Sequence, residues 1–361
     1  MNTSLFCRSC NRKYGSASLL WRCDCGGLLD VDFVAEFPLE KIKKSSPSLW
    51  RYESAIPVSS KYKISFGEGY TPLEQNELFG IKFHIKHDYL FPTASFKDRG
   101  ASVLISKLNE LGVSSIIEDS SGNAASSIAA YAAKSAIACK IFVPEKTSKE
   151  KIRQIESYGA DLELVKGSRQ EVADYTLCKA ESIYYASHSW NPYFFQGVKT
   201  IAYEIVEQLN WVAPDTVILP VGNGTLLIGA YIGFNDLLIA GLIDKMPKLL
   251  AIQAEKCAPI YHYLKKSTFP KMAKTIAAGI AVEKPVRFEQ IIEAILKTEG
   301  DIFKVSEEDI KHALKFIQRK GYYIEPTSAV VVAAISQIQK SNLLGQNNVL
   351  VFTGHGLKYS G

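Results

Sequence analysis

Val217-Ile218-Leu219-Pro220-Val221-Gly222-Asn223-Gly224-Thr225, running into Leu226-Leu227-Ile228-Gly229-Ala230, reads as a buried strand, a glycine turn and an apolar helix in direct succession. Glycines let the chain curl so that successive N–H groups converge on one anion, with a helix N-terminus behind them. The spacing is not that of a dinucleotide fingerprint, because the third glycine would fall at Leu227, and no Gly-Lys-Ser/Thr follows as a Walker loop requires. A cup for the phosphate of a smaller ligand is one reading, and an ordinary strand-to-helix turn is the other.

The same unit recurs along the chain. Strand-length apolar runs are expected at Ile81 to Lys86, Ser115 to Glu118, Lys140 to Val143, Asp161 to Val165, Thr216 to Pro220, Lys248 to Gln253 and Asn348 to Phe352. Helical patterns lie between them, at Ala101 to Leu111, Ala124 to Lys134, Lys149 to Tyr158, Lys199 to Leu209, Glu307 to Arg319 and Ser328 to Lys340. This alternation implies a mostly parallel α/β architecture, in which ligands gather at the carboxyl ends of the strands.

Three further loops carry candidate chemistry. Phe91-Pro92-Thr93-Ala94-Ser95-Phe96-Lys97-Asp98-Arg99-Gly100 passes from a Pro-Thr turn into a helix. A cation is disfavoured at a helix N-terminus, so the dipole there would favour the neutral, nucleophilic amine of Lys97. A surface lysine in a Lys-Asp-Arg cluster is the plainer alternative. Asp119-Ser120-Ser121-Gly122-Asn123-Ala124 joins an apolar strand to an Ala-rich helix; its hydroxyls and amides could hold a carboxylate, or could simply cap the helix. Val349 to Phe352 delivers Thr353 to a glycine-flanked loop, where its hydroxyl either meets a bound ring or faces solvent.

The bulk composition narrows the setting. The 361 residues are 47% hydrophobic and 22% charged, enough for a large core and more than one domain. The charge excess of +5 is spread out, so neither nucleic acid nor an anionic membrane is called for as a partner. No apolar run approaches the roughly 18 to 20 residues of a membrane span, and the N-terminus lacks a signal-like apolar stretch. A cytoplasmic protein is expected. Of seven cysteines, Cys7, Cys10, Cys23 and Cys25 cluster in a segment too short to bury a core, and four thiolates there could enclose Zn²⁺. One gap is C-x-C where C-x2-C is usual.

Taken in order, Pro92-Thr93-Ala94-Ser95-Phe96-Lys97-Asp98-Arg99-Gly100, Ser120-Ser121-Gly122-Asn123, Pro220-Val221-Gly222-Asn223-Gly224-Thr225 and Thr353-Gly354-His355-Gly356-Leu357-Lys358 resemble the threonine synthases. These belong to the fold type II enzymes of pyridoxal 5'-phosphate (PLP), the tryptophan synthase β-like group. Gly67 to Leu73, Gly197 to Thr200 and Glu325 to Ala329 extend the likeness over most of the chain. The resemblance implies two open twisted α/β domains with the cofactor in their cleft and a zinc-ribbon-like knuckle in front. On that scheme residues 1–35 are the cysteine-rich segment, 36–100 with 200–361 the large PLP-binding domain, and 101–199 the small α/β domain.

It also implies roles. Lys97 would hold PLP as a Schiff base and then serve as acid and base. Asn123 would bond the 3'-oxygen of the cofactor, Val221, Gly222, Asn223, Gly224 and Thr225 would cradle its phosphate, and Thr353 would meet its ring nitrogen. A neutral hydroxyl at that nitrogen suits elimination and replacement more than transamination. Ser120, Ser121, His188 and Ser189 are the candidate substrate contacts, and the zinc would be structural, since four thiolates leave no open position. The reaction implied is O-phosphohomoserine plus water to threonine plus phosphate, carried out by a homodimer.

One stretch departs from the family pattern. Where threonine synthases carry Asn-Ser-x-Asn-Pro-x-Arg, this chain reads His188-Ser189-Trp190-Asn191-Pro192-Tyr193-Phe194, so a phenylalanine stands for the arginine. Losing a bidentate arginine contact to phosphate forfeits about 1.5 to 3 kcal/mol. The departure keeps a second enzyme reading open, a serine/threonine dehydratase or β-replacement synthase acting on another amino acid. A third reading, in which the knuckle is a working nucleic-acid binder on an inert body, is opposed by the retention of Lys97, Asn123 and the glycine loop.

Overall fold

The computed structural model describes residues 3–147 and 149–359. The chain forms two compact units: the N-terminal part through Gly69 together with Lys97–Val198, and Tyr70–Phe96 together with the chain from Lys199 onward. The chain therefore passes from one unit to the other between Phe96 and Lys97.

In the second unit six strands lie in the order Asp301–Val305, Lys248–Ala254, Thr216–Pro220, Asn348–Val351, Ile81–Lys86, Leu73–Leu78. The first five are parallel, and the last turns back antiparallel through the two residues Phe79 and Gly80. Thr216–Pro220 and Asn348–Val351 are buried at every position, as expected of central parallel strands read from Val/Ile/Leu runs. The register sets Leu250, Ile218, Leu350 and Ile85 side by side in one row, and all four belong to a single buried core cluster. Each such side chain contributes about 1.5 to 3 kcal/mol on burial. Lys86, wholly buried, is neutralised by Glu204 at 2.8 Å and also donates to the Thr71 carbonyl and to Gln208 Oε1, so this unit buries a charge with its partners in place.

The first unit holds a four-stranded parallel sheet in the order Asp161–Val165, Ala138–Pro144, Ser115–Glu118, Tyr184–Tyr185. The helix Lys97–Glu110 packs against the short helix Pro192–Val198. Residues 36–69 group with this unit, and the reason is local. Ser102 accepts from Trp50 Nε1 at 2.9 Å and donates to the Ile64 carbonyl at 2.9 Å, while Ser106 Oγ accepts from the Ile64 amide at 2.8 Å. The N-terminal segment is a three-stranded antiparallel sheet, Lys13–Gly15, Ser4–Cys7, Leu29–Asp32, and its Trp21 packs edge-on against Tyr185 and Trp190. The helix expected over Ser328 to Lys340 is two, Pro326–Ala333 and Ile335–Lys340. Among the described residues no helix is long and apolar enough to cross a membrane.

Candidate functional site

In the second unit the strand Thr216–Pro220 ends at a loop whose first amide, Val221 N–H, donates to the Ile252 carbonyl of the neighbouring strand at 2.8 Å. That bond fixes the exit direction of the loop. Gly224 then takes a left-handed φ of 75° and caps the helix Thr225–Ile239, and no side chain caps that helix start. A Cβ at Gly224 would stand 2.2 Å from Ile291 Cγ1, so both backbone angle and space demand glycine. An N-terminus of fifteen helical residues, left without a side-chain cap and approached by a glycine loop, is built for an anion.

Thr353, 1% exposed, follows the strand Asn348–Val351. Ser328 Oγ accepts the amides of Thr353 and Gly354, at 2.9 and 3.0 Å, and lies 3.1 Å from Thr353 Oγ1. A hydroxyl oxygen has two lone pairs, and both are taken by these amides. Ser328 therefore cannot accept from Thr353, and its own proton goes to Thr353 Oγ1 or to the Gly354 carbonyl at 3.3 Å, so the proton of Thr353 is turned away from Ser328. In the sequence Ser328 stands inside a motif with nothing to mark this role.

The loop of Thr353 is laced to the segment that leads into Lys97. Phe96 N–H donates to the Thr353 carbonyl at 2.9 Å, His355 N–H to the Ala94 carbonyl at 3.0 Å, and Lys358 Nζ to the Thr93 carbonyl at 2.8 Å. Ala94 adopts a left-handed φ of 65° within this lacing. Ser95 is fully buried, and its Oγ has no partner among the described residues, an orphaned polar atom two positions before Lys97.

In the first unit Lys97 opens the helix Lys97–Glu110, with Nζ 5.5 Å from the centre of the Phe194 ring. Asp98 next to it is buried and accepts from Ser127 Oγ at 2.5 Å. Phe194 is 0% exposed and fills the space over Gly100, which makes it a wall of the helix bearing Lys97. Asn123 opens the helix Asn123–Lys134, whose cap is Gly122 with no side-chain hydrogen bond. Ser120 Oγ accepts from the Gly122 amide at 3.2 Å and so shapes the turn, while Ser121 is half-buried beside it. His188 and Ser189 are both buried, and His188 Nδ1 lies 2.7 Å from Glu118 Oε1 at the end of the strand Ser115–Glu118. In the sequence Glu118 is only the end of an apolar strand; the signal it offers is a lone acid directly before a loop.

Each unit by itself carries donors that suit part of a phosphorylated heterocyclic aldehyde: the first an amine on Lys97 and a helix start capped only by glycine, the second another such helix start, a hydroxyl on Thr353 and a buried hydroxyl at Ser95 without a partner among the described residues. Residues 64–354 match the family described as pyridoxal-phosphate dependent enzymes. The chain belongs to this family. Among curated relatives of this PLP-dependent enzyme, the threonine synthase of Methanocaldococcus jannaschii is 37% identical, covering 98% of this chain and 92% of its own. That of Methanosarcina acetivorans is 35% identical with the same coverage of both chains. Among solved structures, the processed form of threonine deaminase isoform 2 from Solanum lycopersicum superposes with a TM-score of 0.68 at 24% identity, covering 79% of each chain, and shows the shared fold.

The N-terminal thiols form a second site. The sulfurs of Cys7, Cys10, Cys23 and Cys25 all lie within 4.8 Å of one another, with Cys7–Cys25 and Cys10–Cys23 at 3.6 Å. Tetrahedral Zn–S bonds would set them about 3.8 Å apart. The Tyr14 hydroxyl, 3.0 Å from Cys23 Sγ, brings that thiol down to about 6. At Cys25 the Gly27 amide works in the same direction, but Cys23, Cys10 and Cys7 together drive it up to about 12. A cation between the four sulfurs would draw off the thiol protons and stabilise four thiolates, and the donor set fits zinc.

Proposed function

We propose that this PLP-dependent enzyme is a threonine synthase, a lyase of amino-acid biosynthesis that converts O-phosphohomoserine and water to threonine and phosphate. The observation that carries the reading is the near-full-length likeness to threonine synthases, 37% identical over 98% of the chain in one case. The bound cofactor supplies an electron sink for charge developing at the substrate Cα.

The chain's own residues divide the remaining work. Lys97 would hold the cofactor through its amine, and that amine would also move protons at the substrate carbons. Asn123 holds the cofactor's phenolic oxygen. Val221, Gly222, Asn223, Gly224 and Thr225 hold its phosphate. Thr353 donates to the ring nitrogen, and its neutral hydroxyl, oriented by Ser328, leaves that nitrogen unprotonated, which favours elimination over transamination. Ser120 and Ser121 hold the substrate carboxylate, and Ser189 with His188 its phosphate. The proposed large cofactor-binding domain, residues 36–100 and 200–361, and small domain, residues 101–199, have their main bodies in the second and first units, with residues 36–69 and 97–100 grouping instead with the first. Cys7, Cys10, Cys23 and Cys25 hold a structural zinc that staples the knuckle of residues 1–35. A homodimer in the cytoplasm completes the proposal.

A dehydratase acting on serine or threonine is the second reading, favoured by the buried Phe194 at the arginine position. The test is a product assay on PLP-loaded protein. Release of threonine and phosphate from O-phosphohomoserine supports the proposal, with the visible cofactor band absent in Lys97→Ala. Equal or faster formation of oxoacid and ammonia from threonine or serine overturns it.

A further inference from the structure

Glu118, His188 and Ser189 form a line of polar atoms inside the first unit. Glu118 is 0% exposed; its Oε1 lies 2.7 Å from His188 Nδ1, and its Oε2 has no partner among the described residues. At the far edge of the imidazole, Nε2 lies 3.2 Å from Ser189 Oγ. A buried carboxylate with one oxygen unpaired is expensive, and protonation removes the cost.

The position of one proton sets the polarity of the whole line. With Glu118 ionised and His188 neutral, Nδ1–H donates to Glu118, and Nε2 accepts the Ser189 hydroxyl proton. Add one proton to the pair, on the imidazole or on Glu118 Oε1, and the outcome reverses. Nε2 then carries hydrogen and donates to Ser189 Oγ, so the Ser189 hydroxyl proton must point elsewhere. We infer that Glu118 and His188 are positioning residues whose shared proton turns the Ser189 hydroxyl outward as a donor to the anionic group of the substrate. The inference rests on the proposed reading, in which that group is the phosphate of O-phosphohomoserine.

The surroundings favour the protonated pair. Burial, followed by Asp119, holds Glu118 well above the ordinary carboxylate range, against the opposing pull of Lys97, the His188 backbone amide and Arg169. Burial, followed by Lys97 and Arg169, holds His188 well below the usual imidazole range, so of the two groups the carboxyl is the better holder of a shared proton. The ionisable groups facing Glu118 and His188 are Asp119 in the loop directly after the strand, Lys97 and Arg169 from two helices, and Tyr185 and Cys139 from the flanking strands. Tyr185 donates to Asp119 at 2.7 Å, and burial pushes the Cys139 thiol up to about 12, so neither competes for the proton. Phe194, 6.0 Å from the imidazole ring, brings no charge to it.

Glu118→Gln separates this role from a structural one, because its amide N–H donates to Nδ1 as a protonated carboxyl does and cannot be lost. KM for O-phosphohomoserine is measured on the PLP-loaded enzyme between about pH 6 and 9, together with the ¹⁵N shifts of His188. Wild-type KM should rise at least roughly tenfold toward alkaline pH relative to Glu118→Gln, the loss of one hydrogen bond to a charged group. The ratio of the two profiles cancels the titration of the substrate itself. In Glu118→Gln, Nε2 should stay protonated throughout. Parallel profiles, or a hydrogen-free Nε2 at neutral pH, overturn the inference. Should Glu118→Gln not fold, Ser189→Ala decides: its KM should be raised and lose the wild-type alkaline slope, and an unchanged slope overturns the inference. If no turnover of O-phosphohomoserine occurs, the proposed function fails by itself, and the ¹⁵N shifts with inorganic phosphate affinity at both pH extremes still decide the role of Glu118.

Discussion

Gly100 lies so close under the ring of Phe194 that a Cβ added to it would stand 2.3 Å from Cε1 and 2.4 Å from Cδ1. The ring is fully buried, so it has nowhere to retreat. Gly100→Ala should therefore cost about 1 to 3 kcal/mol of stability, the usual penalty of overpacking. Because Lys97 is one turn away on the same helix, the variant should also weaken PLP retention. Thermal unfolding and the visible cofactor band measure the two effects, and an unshifted midpoint would refute the packing argument.

Gly224→Ala meets both a left-handed φ and the side chain of Ile291. The backbone part alone costs about 1 to 2 kcal/mol. PLP affinity, followed by titration of the apoprotein, should drop. Ile291→Ala should cost less stability in the Gly224→Ala background than in wild type, because the clash is then relieved, while the part that stems from φ stays.

Removal of metal from the four-thiol cluster should loosen the knuckle first. Trp21, 7% exposed and packed against Tyr185 and Trp190, reports it. Addition of a strong chelator, or Cys7→Ser, should release one zinc per chain and shift tryptophan emission to longer wavelength, while the visible cofactor band persists. A protein that yields no zinc when unfolded would remove the structural role.

The buried acid also makes a prediction about stability. A carboxyl whose folded pKa is raised gives its full contribution below the unfolded value, about 4.3, and loses it as pH rises through the folded value. Glu118 is such a group, so wild type should lose stability relative to Glu118→Gln as pH climbs above about 5. His188, whose folded pKa is depressed, works with the opposite sign and is common to both proteins. Denaturation midpoints for the two proteins at acidic and mildly alkaline pH should diverge toward the alkaline side.

Much of the framework is legible from single runs of residues. Ser115–Glu118 and Thr216–Pro220 have the bounds their apolar runs suggest, because fully or mostly buried strands need no partner to be recognised, and the less buried Ile81–Lys86 and Asp161–Val165 keep theirs through the alternation of apolar and polar residues. Leu73–Leu78 escapes such a reading, since Glu74, Gln75, Asn76 and Glu77 sit on an edge strand with little of the sheet to cover them. Lys97, Asn123 and Gly222 to Thr225 can be picked out because each occupies a strand-to-helix loop whose chemistry is local. Glu118 and Ser328 cannot. Their roles depend on His188, seventy positions on, and Thr353, twenty-five positions on, contacts that no local pattern encodes.

The hydrogen bond from Phe96 to Thr353 acts as a gauge. One end of it precedes the residue proposed to grip an aldehyde carbon, and the other belongs to the residue proposed to meet a ring nitrogen, two atoms that an aromatic heterocycle holds at a fixed separation. The tie at Ala94 and His355 doubles the gauge, so its length depends on backbone and not on rotamers. Residues 91–97 and 353–358 are therefore expected to be inherited as one block. A single inserted or deleted residue in either loop should abolish the fit to a heterocycle of that size, whereas the exposed stretch around 265–275 should accept length changes freely.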